Sequence, residues 1–210
     1  MRLTVFGATG GVGREIVQQA LAAGHEVTAV VRDPARCTVK GERLTVFRSD
    51  VSDPEQLREA VAGRDAVLSG LGARSAKDAG ITTTLTRVVL RAVEAAGPRR
   101  LVVVSAAPVG PVPERQPALD RLMIRAIGRV LKDVYDDLRA MEGELARSAT
   151  DWTSVRPPRL TDAPLTGVYR TVVGGTPRSG RTIARSDVAH AMLAALDDPT
   201  TLRQGVGVAY

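Results

Sequence analysis

The chain has 210 residues, 44% of them hydrophobic and 25% charged, a size and composition typical of a soluble protein with one sizeable core. Its single cysteine, Cys37, excludes an intramolecular disulfide. No apolar run approaches the roughly 18 residues of a membrane span and no signal-peptide pattern precedes the first predicted strand, so we expect a cytoplasmic protein. The net charge of +6 is spread along the chain and only 3% of residues are aromatic, which argues against nucleic acid or a membrane as a partner.

Strand and helix patterns alternate along nearly the whole chain. The predicted strands are 2–6, 26–31, 43–47, 66–70, 100–105 and 152–156, and the predicted helices are 11–23, 54–62, 80–96, 118–148 and 186–196. The strands read as near-continuous Val and Leu runs, which is typical of strands buried on both faces. This alternation predicts an α/β fold, a Rossmann-like, doubly wound, mainly parallel sheet with helices on both faces, with residues 1–210 as a single domain.

Local signals mark helix boundaries and two irregular segments. Typical helix starts are Asp53-Pro54 and Ser186-Asp187, and glycines that follow helix ends are Gly24, Gly63 and Gly97. The segment 106–117 contains four prolines, and 157–185 is rich in Pro, Gly and Thr, with short strands predicted near 167–173 and 181–184. We expect these two segments to form a small elaboration on the substrate side of the sheet.

A glycine-rich turn, Gly7–Gly13, follows the first predicted strand and opens the first predicted helix. A strand that runs through such a turn into a helix presents backbone N–H groups and the positive end of the helix dipole to a pyrophosphate. Glycine turns also occur where nothing binds, but here a second strand returns about twenty residues later, as in dinucleotide-binding folds. The arrangement therefore predicts a dinucleotide site.

The residue that follows the second predicted strand indicates which dinucleotide binds. An acidic residue there accepts hydrogen bonds from the ribose 2′-OH, whereas a basic residue favours a 2′-phosphate. The first polar residue after Val31 is Arg32, with Arg36 four residues later, and Asp33 has the simpler role of starting the turn at Pro34. NADPH is thus the expected cofactor.

The turn Gly7–Gly13, Arg32 and the segment 151–162 together resemble the atypical short-chain dehydrogenases/reductases. The similarity covers nearly the whole chain, including 164–169 and 186–189, and is greatest to the NADPH-dependent flavin reductases, also called the biliverdin reductase B group. The resemblance implies cofactor contacts to Gly7, Thr9, Gly10, Gly11, Val12, Arg32, Arg36, Asp50, Val51, Leu71, Gly72, Arg74, Ser105 and Pro157. It implies substrate contacts to Ala106, Ala107, Pro158 and Arg159.

Two departures from this family concern the catalytic groups and the pocket. The usual Tyr and Lys pair is represented by Tyr135 and Arg139, and an arginine cannot act as an acid or base. Where the flavin reductases have a phenylalanine and a histidine, this chain has Ala107 and Arg159, which implies a wider and more basic pocket. At Arg159 the residues leave open a clamp on an anionic substrate and a solvated loop side chain.

The candidate catalytic residues are Ser105 and Tyr135, and the residues leave a structural alternative open for each. The Ser105 hydroxyl could hydrogen-bond a substrate carbonyl or the nicotinamide amide, or cap local backbone. Tyr135 could transfer a proton or simply lie at the edge of the apolar stripe of its helix. The two histidines and one cysteine lie far apart in the sequence, so we expect no transition-metal site.

The resulting hypothesis is an NADPH-dependent oxidoreductase that transfers hydride to a planar, conjugated small molecule such as a flavin, quinone or tetrapyrrole. Such acceptors take their proton from water, so a missing Tyr–Lys pair is no obstacle. The alternative is a non-catalytic NAD(P)-sensing regulator of the NmrA-like type, and a sugar epimerase or dehydratase is a third possibility. We expect a monomer or weak homodimer.

Overall fold

The computed structural model describes residues 1–73, 78, 80–96, 98–111 and 127–210. Its strands are β1 (Arg2–Phe6), β2 (Glu26–Val31), β3 (Leu44–Arg48), β4 (Ala66–Ser69), β5 (Arg100–Val104), β6 (Asp151–Arg156), β7 (Arg159–Thr161), β8 (Arg170–Val173), β9 (Thr182–Ala184) and β10 (Gln204–Ala209). The main helices are α1 (Gly11–Ala22), α2 (Pro54–Val61), α3 (Ile81–Ala96), α4 (Lys132–Arg147) and α5 (Arg185–Ala194).

An eight-stranded sheet in the order β3-β2-β1-β4-β5-β6-β10-β8 forms the centre of the molecule. All neighbouring pairs are parallel except β10 and β8, which are antiparallel. A separate parallel pair, β7 and β9, lies outside it. The predicted doubly wound, mainly parallel Rossmann-like fold is confirmed.

Helices cover both faces of this sheet because the central strands are apolar on both sides. Neighbouring residues of β1 point to opposite faces: Val5 belongs to the cluster that includes Ile16 of α1 and Met192 of α5, and Phe6 to the cluster that includes Leu57 of α2 and Leu145 of α4. Helices α1 and α5 therefore pack on one face, and α2, α3 and α4 on the other.

Several boundary signals act as expected. The Asp53 carboxylate accepts a hydrogen bond from the Glu55 amide at 2.9 Å at the start of α2. Gly24 and Gly63 take positive φ angles of 82° and 65° after helix ends, and Gly97 lies outside the described residues. The predicted start at Ser186-Asp187 is wrong: α5 begins at Arg185, has no side-chain cap, and directs the Asp187 carboxylate elsewhere.

Other predicted elements shift at their ends, and two strands were missed. Of the predicted helix 118–148, residues 118–126 lie outside the described part, and α4 begins at Lys132 after helical residues 127–130. The missed strands are β7 and β10. In β10 a Cβ on Gly205 would collide with the Arg156 guanidinium, so this position requires glycine. Glycine is disfavoured in strands, and the sequence pattern of β10 is therefore weak.

The connections after β1, β4, β5 and β6 meet at one edge of the sheet, since these strands are parallel neighbours. β2 follows β1 on one side and β4 lies on the other, so the strand order reverses at β1. Ligands of open α/β sheets bind in the crevice outside the carboxyl ends of the strands at such a reversal. Of the predicted site residues that the structure describes, all but Arg36 and Tyr135 follow the carboxyl ends of β1 to β6 or lie in the first turn of α1.

Candidate functional site

The glycine turn after β1 is built by close approach of three backbone segments. Gly7 has φ +69°, and its carbonyl accepts a hydrogen bond from the Gly10 amide at 2.8 Å. A Cβ on Gly7 would lie 2.8 Å from the Gly70 carbonyl carbon, and one on Gly13 would collide with the Gly7 carbonyl oxygen. The glycines thus bring the start of α1 against the ends of β1 and β4.

The first turn of α1 offers backbone donors without a side-chain partner. Its N-cap residue is Gly10, which has no side chain to accept a hydrogen bond, and no acidic residue lies in the first turn. Gly11 is exposed, and Thr9 and Gly10 are partly exposed. An uncapped helix start with accessible backbone is suited to an anion such as a pyrophosphate, because its N–H groups and dipole both favour negative charge.

Arg32 is exposed directly after β2, and the acidic residues near it are committed to local turns. The Asp33 carboxylate accepts a hydrogen bond from the Ala35 amide at 3.0 Å and starts the short helical turn Pro34–Arg36, as predicted. Arg32 itself makes no hydrogen bond or ion pair with the described residues. The end of β2 therefore presents a cation and no available carboxylate.

The loop after β3 holds Asp50 and Val51 beside this cation. The Ser52 hydroxyl and amide donate to the Asp50 carboxylate at 2.5 and 3.0 Å, and they hold its pKa below the usual range with a smaller contribution from Arg32. Val51 is buried with φ +63°, a conformation that β-branched residues rarely adopt, and the Ser49 hydroxyl accepts a hydrogen bond from its amide. Strain of this kind is often found at ligand sites.

The predicted contact residues after β4 differ in how exposed they are. Leu71 packs against the core cluster on the α2 and α3 face, and its amide donates to the Ser69 hydroxyl at 3.4 Å. Gly72 is exposed, with nothing within 4 Å of where its Cβ would be. Arg74 lies outside the described residues.

The ends of β5 and β6 are held together by backbone hydrogen bonds. The Ser105 amide donates to the Val155 carbonyl at 2.7 Å, and the Ala107 amide donates to the Pro157 carbonyl at 2.8 Å. Pro157 is buried, whereas Ala106, Ala107 and Pro158 are partly exposed and Arg159 is exposed. The predicted substrate-side residues therefore form one neighbourhood.

The environment of the Ser105 side chain is unusual for a hydroxyl. The residue is only 8% exposed, and its hydroxyl has no hydrogen-bond partner among the described residues. A buried hydroxyl without a partner is costly, and native proteins seldom retain one without a ligand, water or other group to pair with it. Its place at the carboxyl end of β5 fits a group that hydrogen-bonds a bound molecule.

The Arg139 guanidinium, predicted on the same helix face as Tyr135, has its hydrogen-bond partners elsewhere. The Arg139 guanidinium donates to Asp136 at 2.8 Å and to the Pro108 carbonyl at 3.2 Å. Tyr135 is half-buried against the core cluster, and this burial raises the pKa of its phenol. In the usual pair the lysine lowers the pKa of the tyrosine, whereas burial at Tyr135 acts in the opposite direction.

Arg156 is a structural residue at the end of β6. Its guanidinium makes a bidentate ion pair with Glu142 of α4 at 2.5 and 3.0 Å, and Glu142 also accepts from the Ser154 hydroxyl at 2.7 Å. Both members of the ion pair are only about a tenth exposed, 12% and 11%. The pair ties α4 to the strand that carries the Pro157 loop.

Asp187 anchors the loop that follows the substrate-side segment. The residue is fully buried and accepts hydrogen bonds from the Thr166 and Gly167 amides at 3.1 and 2.8 Å, the Thr166 hydroxyl at 2.9 Å and the Tyr210 hydroxyl at 2.5 Å. Burial alone would raise the pKa of this carboxyl, but these hydrogen bonds outweigh it and hold the pKa below the ordinary value.

We expect Asp187→Ala to lower the free energy of unfolding by about 3 kcal/mol, because several charge-assisted hydrogen bonds to one buried carboxylate are lost together. The difference from wild type is full above the unfolded pKa near 3.8 and disappears as the pH falls through the folded pKa. Urea unfolding at several pH values measures it. Asp162→Ala, which removes an exposed carboxylate, is the control, and equal unfolding midpoints for the two variants would contradict this role.

A cleft of about 400 Å³ adjoins the glycine turn on the α1 side. It is lined by Gly11, Glu15, Gln19, Asp162, Leu165 and Arg185 among others. Two arginines near the carboxyl edge of the sheet, Arg185 and Arg48, were not predicted. Arg48 is exposed at the carboxyl end of β3, where it pairs with Val31 of β2. The rule that polar residues follow parallel strand ends could have found Arg48, since it ends its strand.

Two kinds of feature are absent from the described residues, a cluster of metal-ligating side chains and a helix that could span a membrane. They contain no group of three or more His, Cys, Asp or Glu side chains placed to hold a metal. His190 shares a 2.7 Å hydrogen bond with the Tyr169 hydroxyl, and Cys37 is a partly buried free thiol. Across the same residues, every helix is too short or too polar to cross a membrane.

A family model described as NAD(P)H-binding matches residues 7–199, from the glycine turn to just beyond the last α-helix, α5. The chain belongs to the NAD(P)H-binding family. Within it, the chain has an atypical short-chain dehydrogenase/reductase type of Rossmann fold. The match begins at Gly7, where the glycine turn begins.

Two relatives show the breadth of the proteins that this NAD(P)H-binding chain resembles. The photosystem II assembly factor Ycf39 of a Synechocystis strain is 33% identical over 113 residues, which is 50% of this chain and 33% of that protein. A 3-diazoavenalumate denitrifying reductase of a Streptomyces species is 36% identical over 127 residues, 53% of this chain and 41% of that protein. The matched part thus spans about two fifths or less of these relatives.

Solved structures of the same fold align over the full length. A short-chain dehydrogenase/reductase from Veillonella parvula, in complex with NADP, has a TM-score of 0.78 and 21% identity, covering 100% of this chain and 94% of its own. A candidate NADH-flavin reductase from Streptococcus pneumoniae has a TM-score of 0.81 and 22% identity, covering 100% and 99%. At these identities the likeness establishes the fold.

Proposed function

We propose that this protein is an NADPH-dependent reductase that delivers hydride to a planar, conjugated small molecule of the flavin, quinone or tetrapyrrole kind. The observation that carries the proposal is the buried, unpartnered Ser105 hydroxyl at the carboxyl end of β5, in a chain whose family binds NAD(P)H. In this proposal the hydroxyl binds the nicotinamide amide or a substrate oxygen, which would give it the hydrogen-bond partner that the described residues do not supply.

The residues present fit the cofactor. Side chains at Gly7 and Gly13 would collide with the backbone of the turn, so glycine lets the start of α1 approach the ends of β1 and β4, and this uncapped helix start offers backbone donors to a pyrophosphate. When bound, the reduced nicotinamide supplies the hydride, and the protein positions it and excludes water. Residues at the ends of β4, β5 and β6 would hold the nicotinamide half, as the family resemblance implies for Leu71, Gly72, Ser105 and Pro157.

A preference for NADPH is supported by the charges after β2 and β3. Arg32 is exposed and makes no hydrogen bond or ion pair with the described residues, and its effect on Asp50 is the smallest of those acting on that carboxylate, while Asp33 and Asp50 each accept local hydrogen bonds. A 2′-phosphate would supply the missing partner of Arg32. Arg36 and Arg48 are exposed nearby and add to the positive charge.

The proposed kind of acceptor is supported by the proton-transfer candidates among the described residues. Arg139 is held by Asp136 and the Pro108 carbonyl, and burial raises the pKa of Tyr135, so neither residue is suited to proton transfer. A conjugated acceptor delocalises the charge that it gains and takes its proton from water. Alcohol-forming reduction of an isolated carbonyl would require an acid, which neither of these two residues is placed to supply. The names of the Streptomyces and Streptococcus proteins agree with reductase chemistry.

The test follows NADPH absorbance with FMN, quinones and biliverdin as acceptors. We expect turnover with at least one, reduced about tenfold in Ser105→Ala, because one hydrogen bond that orients the substrate is lost. Tyr135→Phe should keep most of the activity, since the phenol does not transfer the proton. Loss of about a hundredfold or more in Tyr135→Phe would contradict this account, because general acid catalysis has that magnitude.

The alternative function, an NAD(P)-sensing regulator, gives a different result in the same assay. It predicts tight cofactor binding and no NADPH oxidation above background with any acceptor. Ser105→Ala would then change cofactor affinity alone.

A further inference from the structure

Arg185, the first residue of α5, lies directly over the exposed start of α1. Its Cδ and Nε atoms are 2.5 and 2.7 Å from the point where a Cβ on Gly11 would be. The arginine side chain therefore fills the space that a side chain at position 11 would otherwise take. A cation from a distant segment is in this way brought to the glycine turn.

Two hydrogen bonds made by the next residue, Ser186, hold the backbone of Arg185 in place. The Ser186 hydroxyl donates to the Ala163 carbonyl at 3.0 Å, and the Gln19 side-chain amide donates to the Ser186 carbonyl at 2.9 Å. These bonds connect α5 to the loop after β7 and to α1. These hydrogen bonds therefore fix the backbone of Arg185 beside the glycine turn.

The charge of Arg185 is only weakly engaged. Its guanidinium donates to Asp162 at 2.6 Å, and the Arg185 side chain is 32% exposed, but the Asp162 side chain is 86% exposed and remains solvated when the pair separates. Exposed ion pairs contribute little, because water solvates the separated ions almost as well. The other acid in this cleft, Glu15, has Arg14 at 3.6 Å. Arg185 can leave Asp162 at small cost.

We propose that Arg185 is a pyrophosphate-binding residue, which exchanges its ion pair with Asp162 for the cofactor's phosphates. The inference rests on the proposed function, since it requires a dinucleotide at the glycine turn. Arg185 adds a charge that the turn lacks, because the turn offers backbone donors alone. Pyrophosphate is common to NADP and NAD, so Arg185 strengthens binding of both and leaves the preference between them to the 2′-phosphate site.

The experiment measures dissociation constants by calorimetry for NADP⁺, NAD⁺ and adenosine 2′-monophosphate, which lacks the pyrophosphate. We expect Arg185→Gln to weaken NADP⁺ and NAD⁺ by the same factor, about tenfold, and to leave the monophosphate unchanged. Asp162→Asn, which frees Arg185, should tighten both dinucleotides about two- to threefold. Arg87→Gln, which removes an arginine paired with Glu144 at 2.8 Å on the other face of the sheet, is the matched control.

Unchanged dinucleotide affinity in Arg185→Gln would overturn the inference, as would an equal loss for the monophosphate, which would indicate a general effect on the fold. If Arg185→Gln does not fold, weaker dinucleotide binding in Asp162→Asn overturns the inference, and tighter binding of NADP⁺ and NAD⁺ but not the monophosphate supports it. Failure of the proposed function has a separate signature, namely that the wild-type protein binds neither NADP⁺ nor NAD⁺.

Discussion

Gly10→Val should leave the protein folded and weaken both NADP⁺ and NAD⁺ by about a hundredfold, because at least one charge-assisted hydrogen bond at the start of α1 is lost. The backbone of Gly10, at φ −81° and ψ 167°, is open to any residue. A Cβ there would lie 3.2 Å from the Gly7 carbonyl oxygen, a distance that small shifts can relieve. The branched side chain would instead cover the backbone that a pyrophosphate must approach.

Two other glycine variants separate this effect from a fold defect. In Gly13→Val the new side chain collides with the Gly7 carbonyl inside the packed turn, so we expect a large loss of stability. Gly143→Val adds the same side chain on α4, where the nearest atom to a Cβ is the flexible end of Arg147 at 3.5 Å, and should keep cofactor affinity. Circular dichroism and calorimetry measure both properties. A folded Gly10→Val with wild-type affinity would refute the pyrophosphate role of the turn.

Sequence alone predicted the parts of the fold that local interactions determine. The runs of Val and Leu in β1, β2, β4, β5 and β6 identify buried strands because each residue needs only an apolar neighbour on either face. Asp53 predicts the start of α2 because the cap is formed within two residues. The glycine turn is also formed by residues close together in the sequence, and the family match begins at its first residue, Gly7.

Elements that depend on distant contacts were missed. β10 contains Gly205 and Gly207, which reduce its strand propensity, and both are required by segments far away in sequence. A Cβ on Gly205 would meet the Arg156 guanidinium, and one on Gly207 would lie 2.5 Å from the Gly175 carbonyl oxygen. Asp187 resembles a helix cap in sequence, yet its carboxylate binds Thr166 and Gly167, about twenty residues earlier.

The same limit applies to the candidate site. The sequence predicts Tyr135 and Arg139 on one helix face. It could not predict that the Arg139 guanidinium would donate a hydrogen bond to the Pro108 carbonyl, which lies 31 residues away. Nor could it place Arg185 over Gly11, since 174 positions separate them. Their contact exists because α1 and α5 pack side by side on one face of the sheet.

Arg32→Ala should weaken NADPH binding about ten- to a hundredfold and change NADH binding little, because one or two charge-assisted hydrogen bonds to the 2′-phosphate are lost. NADH makes no such bond. The structure gives no reason for NADH to bind better in the variant, because the Asp33 and Asp50 carboxylates keep their partners at the Ala35 and Ser52 amides. Calorimetry with both cofactors measures the ratio.

The size of this loss should depend on salt, and that dependence identifies its cause. Arg32 is exposed, so its attraction for a phosphate is screened as the ionic strength rises, and the difference between wild type and Arg32→Ala should shrink between low and high salt. Arg58→Ala, which removes an exposed arginine paired with Glu55 on α2, changes the net charge equally and should leave the NADPH to NADH ratio at the wild-type value. Equal losses of NADPH and NADH affinity in Arg32→Ala would show that this arginine supports the end of β2 and does not read the 2′-phosphate. Selection of the cofactor would then belong to Arg36 or Arg48, the other exposed cations at that edge.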